Sequence, residues 1–225
     1  MIAVFLQARL DSTRLPRKAL LPLADDTVIG HAMRSLRGAA DLSVLLTDED
    51  SAEELRPQAN AAGFDIFVGS KEDVLKRFAD AARHYGPDRI IRATGDNPLV
   101  GSECARLICR MHADEGADYS GFRGLPLGTG VECVETEALL EADKLARSLY
   151  EREHVCPYLY RHPERFVVFR PKAPQEYRFP EGRVTLDTED DYRKLQALYD
   201  KLYRGRPVGT ELLVRELSRH QPVAG

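Results

Sequence analysis

The chain has 225 residues, 43% of them hydrophobic and 30% charged, which is enough apolar material for a packed α/β core and too much for a disordered chain. A formal net charge of −4 argues against a protein built around long nucleic-acid contacts, and no apolar run is long enough to span a membrane. The charge is uneven: residues 1–20 hold Arg9, Arg14, Arg17 and Lys18 against a single acid, Asp11, a patch suited to a compact anion.

In chain order, Ile2–Gln7 reads as a short buried strand. The segment Ala8–Arg17 has no helical period and is expected to be a loop. Val28–Leu36 reads as a helix and Leu42–Thr47 as the second strand. Ser51-Ala-Glu-Glu54 has the form of a capping box, so a helix is expected to begin there and run toward Gly63. Phe64–Val68 is the third strand. Ser70 is placed to cap the next helix, with Val74, Phe78, Ala81 and Tyr85 as its apolar stripe. Arg89–Thr94 is the fourth strand, closed by Gly95-Asp96-Asn97-Pro98, and Cys104–His112 reads as helix. Strand and helix thus alternate four times, which predicts a parallel sheet with helices on both faces and a ligand site beyond the carboxyl ends of the strands.

The second half is less regular. Ala117–Ser120 and Val131–Val134 read as strands around the Gly-rich loop Gly121–Gly130, and Thr136–Leu145 and Glu151–Tyr160 as helices. Phe166–Phe169 and Arg183–Leu186 read as further strands. Thr188-Glu-Asp-Asp191 is a capping-box variant opening a helix striped by Tyr192, Leu195, Leu198 and Leu202, and Glu211–Leu217 is a last short helix. Without repeats or a flexible linker, residues 1–225 are expected to form one domain.

The N-terminal basic residues follow the first apolar run instead of preceding it, so no signal peptide is expected and a cytoplasmic setting is. Cys104, Cys109, Cys133 and Cys156 form no CxxC pair and are read as free thiols. The six histidines have no zinc-ligand spacing.

Three segments can carry chemistry. A triphosphate needs positive charges and hydrogen-bond donors converging on a small volume, and Gln7–Lys18 offers Arg9, Ser12, Thr13, Arg14 and Lys18 on a loop stiffened by Pro16. The plainer reading is a solvated basic loop, and the absence of glycine excludes a Walker loop. In Thr94–Leu99, Gly95 permits close backbone approach, and Asp96 stands on a turn at a strand end, where a carboxylate can bind magnesium. Its alternative is a turn aspartate bonded to its own backbone. Asp187, just before the cap Thr188, is either a second metal carboxylate or a helix N-terminal charge.

These segments, in this order, resemble the cytidylyltransferase family, in particular the branch named for spore-coat polysaccharide biosynthesis, with CMP-ketodeoxyoctonate and CMP-sialate synthetases more distant. Gln7-Ala-Arg-Leu-Asp-Ser-Thr-Arg-Leu-Pro-Arg-Lys18 is similar to that family's Q-A-R-x-x-S-T-R-L-P-x-K loop. Gly69–Phe78 is similar to G-S-x-x-D-V-L-x-R-F, and Arg92–Val100 to R-x-T-G-D-N-P-L-I. Arg152–Tyr158 resembles R-E-H-V-x-P-Y/F, and Arg183–Asp190 resembles R-x-T-V-D-T-x-E-D. The resemblance spans residues 2 to about 200.

The resemblance implies a Rossmann-like α/β/α sandwich of the nucleotidyltransferase (nucleotide-diphospho-sugar transferase) type. It implies a magnesium-dependent enzyme that moves CMP from CTP to a sugar-type hydroxyl in cell-surface polysaccharide biosynthesis, releasing pyrophosphate. Arg9, Ser12, Arg14 and Lys18 would hold the triphosphate, and Asp96 and Asp187 the Mg2+. Gln7, Ala8, Asp73, Arg77 and Gly95 would lie around the nucleotide. Glu132, the Gly121–Gly130 loop and His154 would face the acceptor, an ordinary or an acidic sugar, within a region of about 117–182 that would also serve a homodimer. Many relatives carry glycine at Arg17 and a small residue at Asp11, and the family's D-V-E appears here as Glu132-Cys-Val. Two other readings stand beside this one. A GT-A-like glycosyltransferase would use Asp48-Glu-Asp50 as a DxD metal motif, and a non-catalytic nucleotide-binding subunit would bind without turnover.

Overall fold

The structure is a computed structural model, and it describes residues 1–219. Four segments rich in apolar and β-branched residues form the parallel part of the sheet: β1 (Ile2–Gln7), β4 (Leu42–Thr47), β5 (Asp65–Val68) and β6 (Arg89–Thr94). β7 (Tyr119–Gly121), β8 (Glu132–Glu135) and β9 (Val168–Phe169) extend it into one seven-stranded sheet of order β5-β4-β1-β6-β8-β7-β9. β8 runs antiparallel to both β6 and β7, so the sheet expected to be parallel is mixed at one end. A two-stranded hairpin, β2 (Pro22–Leu23) and β3 (Asp26–Thr27), was not expected.

Alternation along β1 explains the layers. Ala3 and Phe5 point into one core with α3 (Val74–Tyr85) and α5 (Thr136–Leu145). Val4 and Leu6 point into the other, with α1 (Val28–Leu36), α2 (Glu49–Ala62) and α4 (Ser102–Glu115). The helices end where the chain can turn left-handed: Gly63, Gly86 and Gly116 follow α2, α3 and α4 at φ of 73°, 62° and 60°.

A third core cluster decides where Asp187 goes. Leu15 of the first loop and Leu23 of the hairpin pack with Val184, Leu186 and the Tyr192–Leu195–Tyr199 stripe of α8 (Glu189–Leu202). Burying a side chain such as Leu186 contributes about 2 kcal/mol. It also holds the next residue, Asp187, at the cationic loop. The capping box at Thr188 is present, with Asp191 as its acid.

Several expected elements shift. α2 begins three residues early because Asp48, not Ser51, caps it; the Asp48 carboxylate accepts from the Ser51 amide at 2.9 Å. α3 is capped by Asp73 instead of Ser70, whose hydroxyl accepts from the Asp73 amide at 3.1 Å. The helix expected over 151–160 is two helices, α6 (Leu149–His154) and α7 (Pro157–Arg161). Pro157 has no N–H to continue the ladder, and Val155 turns at φ 72°. Arg183–Leu186 forms a single bridge to Leu127 and no strand, because its partner there is a loop. The last helix is α9 (Thr210–Ser218). Among the described residues, no helix is long and apolar enough to cross a membrane.

Candidate active site

The carboxyl ends of β1 and β6 open on a cavity of about 400 Å³. The β1 loop lines it with Gln7, Ala8, Arg9, Asp11, Ser12, Thr13, Arg14 and Lys18. Asp96 comes from the β6 turn, Asp187 from the residue before the α8 cap, Val74 and Arg77 from α3, and Glu153 and His154 from α6.

The centre of the site is one ammonium. Lys18 Nζ lies 2.5 Å from Asp96 Oδ2 and 3.4 Å from Asp187 Oδ1, and donates to the Leu186 carbonyl at 2.7 Å. Two carboxylates 91 positions apart in the sequence thus share one cation. Arg14 Nη2 and Arg183 Nη2 complete the cluster, each 2.9 Å from an oxygen of Asp187. The groups that accept from the ammonium are all hard oxygens, the kind of ligand a magnesium ion takes. No group of three or more His, Cys, Asp or Glu gathers at ligand spacing among the described residues, so a metal held by these two carboxylates would need its remaining ligands from phosphate or water. The residues fit a magnesium bound together with a polyphosphate.

Asp11, the acid within this basic loop, is 3.1 Å from Arg9 Nε and 3.6 Å from Lys71 Nζ, so its charge is already compensated. Arg17 lies outside the cavity lining, paired with Glu54 at a left-handed φ of 57°. That conformation is the one glycine adopts most readily.

Among the residues lining the cavity, Arg77 is 1% exposed and donates to the Ser70 carbonyl at 2.8 Å. Burial pulls its pKa down, and the nearby Asp48 pushes the other way. Its Nε and the Oε1 of Gln7 are buried without a partner among the described residues. Unpaired buried polar atoms are costly, and both belong to residues of the cavity wall, where a polar ligand edge would satisfy them.

Three expected positions fall outside this lining. The Asp73 carboxylate caps α3 and binds Arg152, so the residues that α3 presents are Val74 and Arg77. Gly95 serves packing: a side chain there would come within 3.0 Å of Ala8 Cβ and Ile29 Cδ1. Glu132 lines a second cavity of about 310 Å³, with Tyr119, Gly121, Phe122, Gly130 and Arg170. The two cavities adjoin, since Arg92 and Thr94 line both. Glu132 accepts from Arg92 Nη1 and from the Tyr119 hydroxyl, both at 2.7 Å. Burial, reinforced by the Glu132 charge, pushes the Tyr119 phenol well above its ordinary range. His154 lies in the first cavity, beside the Tyr150 ring.

Arg92, Thr94 and Glu153 received no role from sequence reasoning. A signal existed for the first two: in Arg89-Ile-Ile-Arg-Ala-Thr94 they are polar residues two apart, and so on one face, at the carboxyl end of the strand. The Asp48-Glu-Asp50 motif is used structurally, since Asp48 caps α2 and Asp50 pairs with Lys71.

The profile of the family described as cytidylyltransferase matches residues 3–211. The chain belongs to the cytidylyltransferase family. It is 33% identical to the spore coat polysaccharide biosynthesis protein SpsF of Bacillus subtilis, over 99% of this chain and 96% of that protein. It is 32% identical to the 3-deoxy-manno-octulosonate cytidylyltransferase of Aeromonas hydrophila, over 78% of this chain and 71% of that one. The solved structure of a cytidylyltransferase from Leptospira borgpetersenii superposes with a TM-score of 0.90 at 28% identity, covering 100% of this chain and 99% of the other. The fold is thus the Rossmann-like nucleotidyltransferase sandwich.

Proposed function

We propose that this cytidylyltransferase moves CMP from CTP to a hydroxyl of a sugar-type acceptor and releases pyrophosphate, in polysaccharide biosynthesis, as the name of its Bacillus relative indicates. The observation that carries this reading is the meeting of Asp96 and Asp187 at the Lys18 ammonium, inside the cationic loop.

The triphosphate would lie along that loop. Lys18 and Arg14 exchange carboxylate oxygens for phosphate oxygens, a trade that costs little because charge-assisted bonds are replaced in kind. The released carboxylates of Asp96 and Asp187 would hold magnesium, which neutralises phosphate charge. Arg9, Arg14 and Lys18 then face the charge that builds on pyrophosphate as the Pα–O bond to it breaks and the acceptor oxygen bonds to Pα. The hydroxyl proton passes to solvent water as that bond forms. Gln7 and Arg77 offer one buried acceptor and one buried donor to the base, and an aminopyrimidine edge can satisfy both. The second cavity, with Glu132 and Arg170, would take the acceptor, and Thr94 and Arg92 form the shared wall.

The test is pyrophosphate release from CTP and magnesium over a panel of neutral and acidic sugars, with ATP, GTP and UTP as controls. CTP-specific pyrophosphate release dependent on one acceptor class supports the reading. Free nucleotide released from a nucleotide-sugar, without pyrophosphate from CTP, would overturn it.

A further inference from the structure

Helix α6 has an unusual position for its composition. None of its residues is buried, and Leu149 is 87% exposed. A six-residue helix without an apolar face has no hydrophobic reason to hold one place. Yet Glu153 and His154 on it form a wall of the first cavity.

What ties it down is Arg152. Its Nε lies 2.9 Å from both oxygens of Asp73, and its Nη2 is 2.5 Å from Asp73 Oδ2 and 2.8 Å from Asp143 Oδ1. Its Nη1 donates to the Asp143 carbonyl at 2.7 Å. A guanidinium used on every nitrogen fixes direction as well as distance, which an ammonium cannot do. Asp73 itself caps α3 through the Lys76 amide at 2.9 Å, and α3 brings Val74 and Arg77 to the same cavity. On its other side α6 leaves through Val155, a β-branched residue held at φ 72° and 1% exposed. The chain therefore passes from clamp to core across one sharp turn.

We propose that Arg152 is a positioning residue for nucleotide binding: clamped by Asp73 and Asp143, it sets α6 so that Glu153 and His154 face the nucleotide. The proposal rests on the nucleotide reading of the cavity. It also gives Asp73 its part, which is to orient Arg152 while capping α3.

The experiment is a cycle. Arg152→Lys keeps the charge and loses the fork, and Asp73→Asn keeps a capping side chain while losing the ion pair. Each is made in the natural chain and in an E153A/H154A background, with thermal unfolding confirming that every variant is folded. In the natural chain both substitutions are expected to raise the KM for CTP about tenfold with kcat changed less than about threefold. In the E153A/H154A background the same substitutions should change KM less than about twofold, because the groups being positioned are gone. An equal KM penalty in both backgrounds would overturn the proposal, as would an unchanged KM in folded D73N. A second readout needs no nucleotide: the His154 imidazole signal in NMR should move in R152K protein, and an unmoved signal also overturns it. If the natural chain ignores CTP while that signal moves, the functional reading falls and the clamp stands.

Discussion

Strand β6 serves two charged clusters that differ in how they are held. Just past its end, Asp96 joins Lys18, Asp187 and Arg14 in a group whose side chains range from 14% exposed at Lys18 to 68% at Arg14. Two residues before its end, Arg92 faces Glu132 across the sheet in direct register, and both side chains are about one-fifth exposed. The first cluster is assembled from loops and a helix entry, so its partners can be exchanged for those of a ligand. The second is written into strand pairing and locked by the Tyr119 hydroxyl. An exchangeable cluster suits binding of a charged substrate that comes and goes, and a locked one suits the shape of a pocket.

The contrast is broken most sharply at Asp96. Asp96→Asn keeps the size of the side chain and removes the charge that holds Lys18 and, on the proposed reading, a metal. Turnover is expected to fall about a hundredfold or more, with stability changed by less than about 1 kcal/mol, because Lys18 keeps its bonds to the Leu186 carbonyl and Asp187. Steady-state rates and urea unfolding of the same preparation check both halves. Turnover within about threefold of the natural chain would remove Asp96 from the machinery.

Glu132→Ala should show the opposite pattern. It leaves Arg92 without its carboxylate and the Tyr119 hydroxyl without its acceptor, and a stability loss of about 2–3 kcal/mol is expected. The KM for CTP should change less than about threefold, while the KM for the acceptor rises more. A urea midpoint equal to that of the natural chain would show that the pair is not locked.

Acid acts first on two buried histidines that lie outside both clusters. Burial holds the His112 imidazole below its ordinary pKa, against the pull of Glu135 at 3.0 Å and with Arg89 adding to the lowering. Burial also lowers His31, whose ring lies against Tyr199 and Tyr203 and near Asp25, Asp26 and Arg34. Below a pH of about 6.5 the unfolded chain binds protons that the folded chain resists, so stability falls as pH drops through that point. The loss grows until the folded-state values are reached. Urea midpoints between pH 7.5 and pH 5.5 should fall, and His112→Gln should flatten the slope; an unchanged slope in that variant would exclude His112 as a source. The carboxylates held low, Asp143 by Arg83 and Arg152 and Asp191 by Thr188 and Arg183, add their loss only at lower pH.

How much of this was legible in the sequence follows from the range of the interactions. The parallel strands and α1, α5 and α8 were readable because their signals are local: apolar runs, a 3.6 period, a capping box at Thr188. Gln7–Lys18 was readable as an anion loop because its charges sit close together in the chain. Asp187 was readable as a candidate, but its place beside Asp96 depends on Leu186 and Val184 packing under Leu15, a contact across about 170 positions. The Asp73–Arg152 clamp was hidden for the same reason, since nothing near either residue names the other. The break at Val155 was missed because Pro157 is acceptable at the start of a helix as well as at the end of one.

The smallest expected effect belongs to Arg17, the immediate neighbour of Lys18. Its left-handed backbone costs about 1 kcal/mol for a residue with a side chain, and Arg17→Gly removes that cost. The same change loses the exposed pair with Glu54, about 0.5 kcal/mol, and frees the unfolded chain by a similar amount. The terms nearly cancel, so the melting temperature should move by less than about 2 °C. The KM for CTP should stay within about twofold, because the Arg17 side chain turns to Glu54 and away from the cavity that Lys18 enters. A KM rise of tenfold in R17G would mean that the guanidinium leaves Glu54 for the triphosphate. The exchangeable cluster would then extend one residue further along the loop, onto a position whose charge the resting structure spends elsewhere.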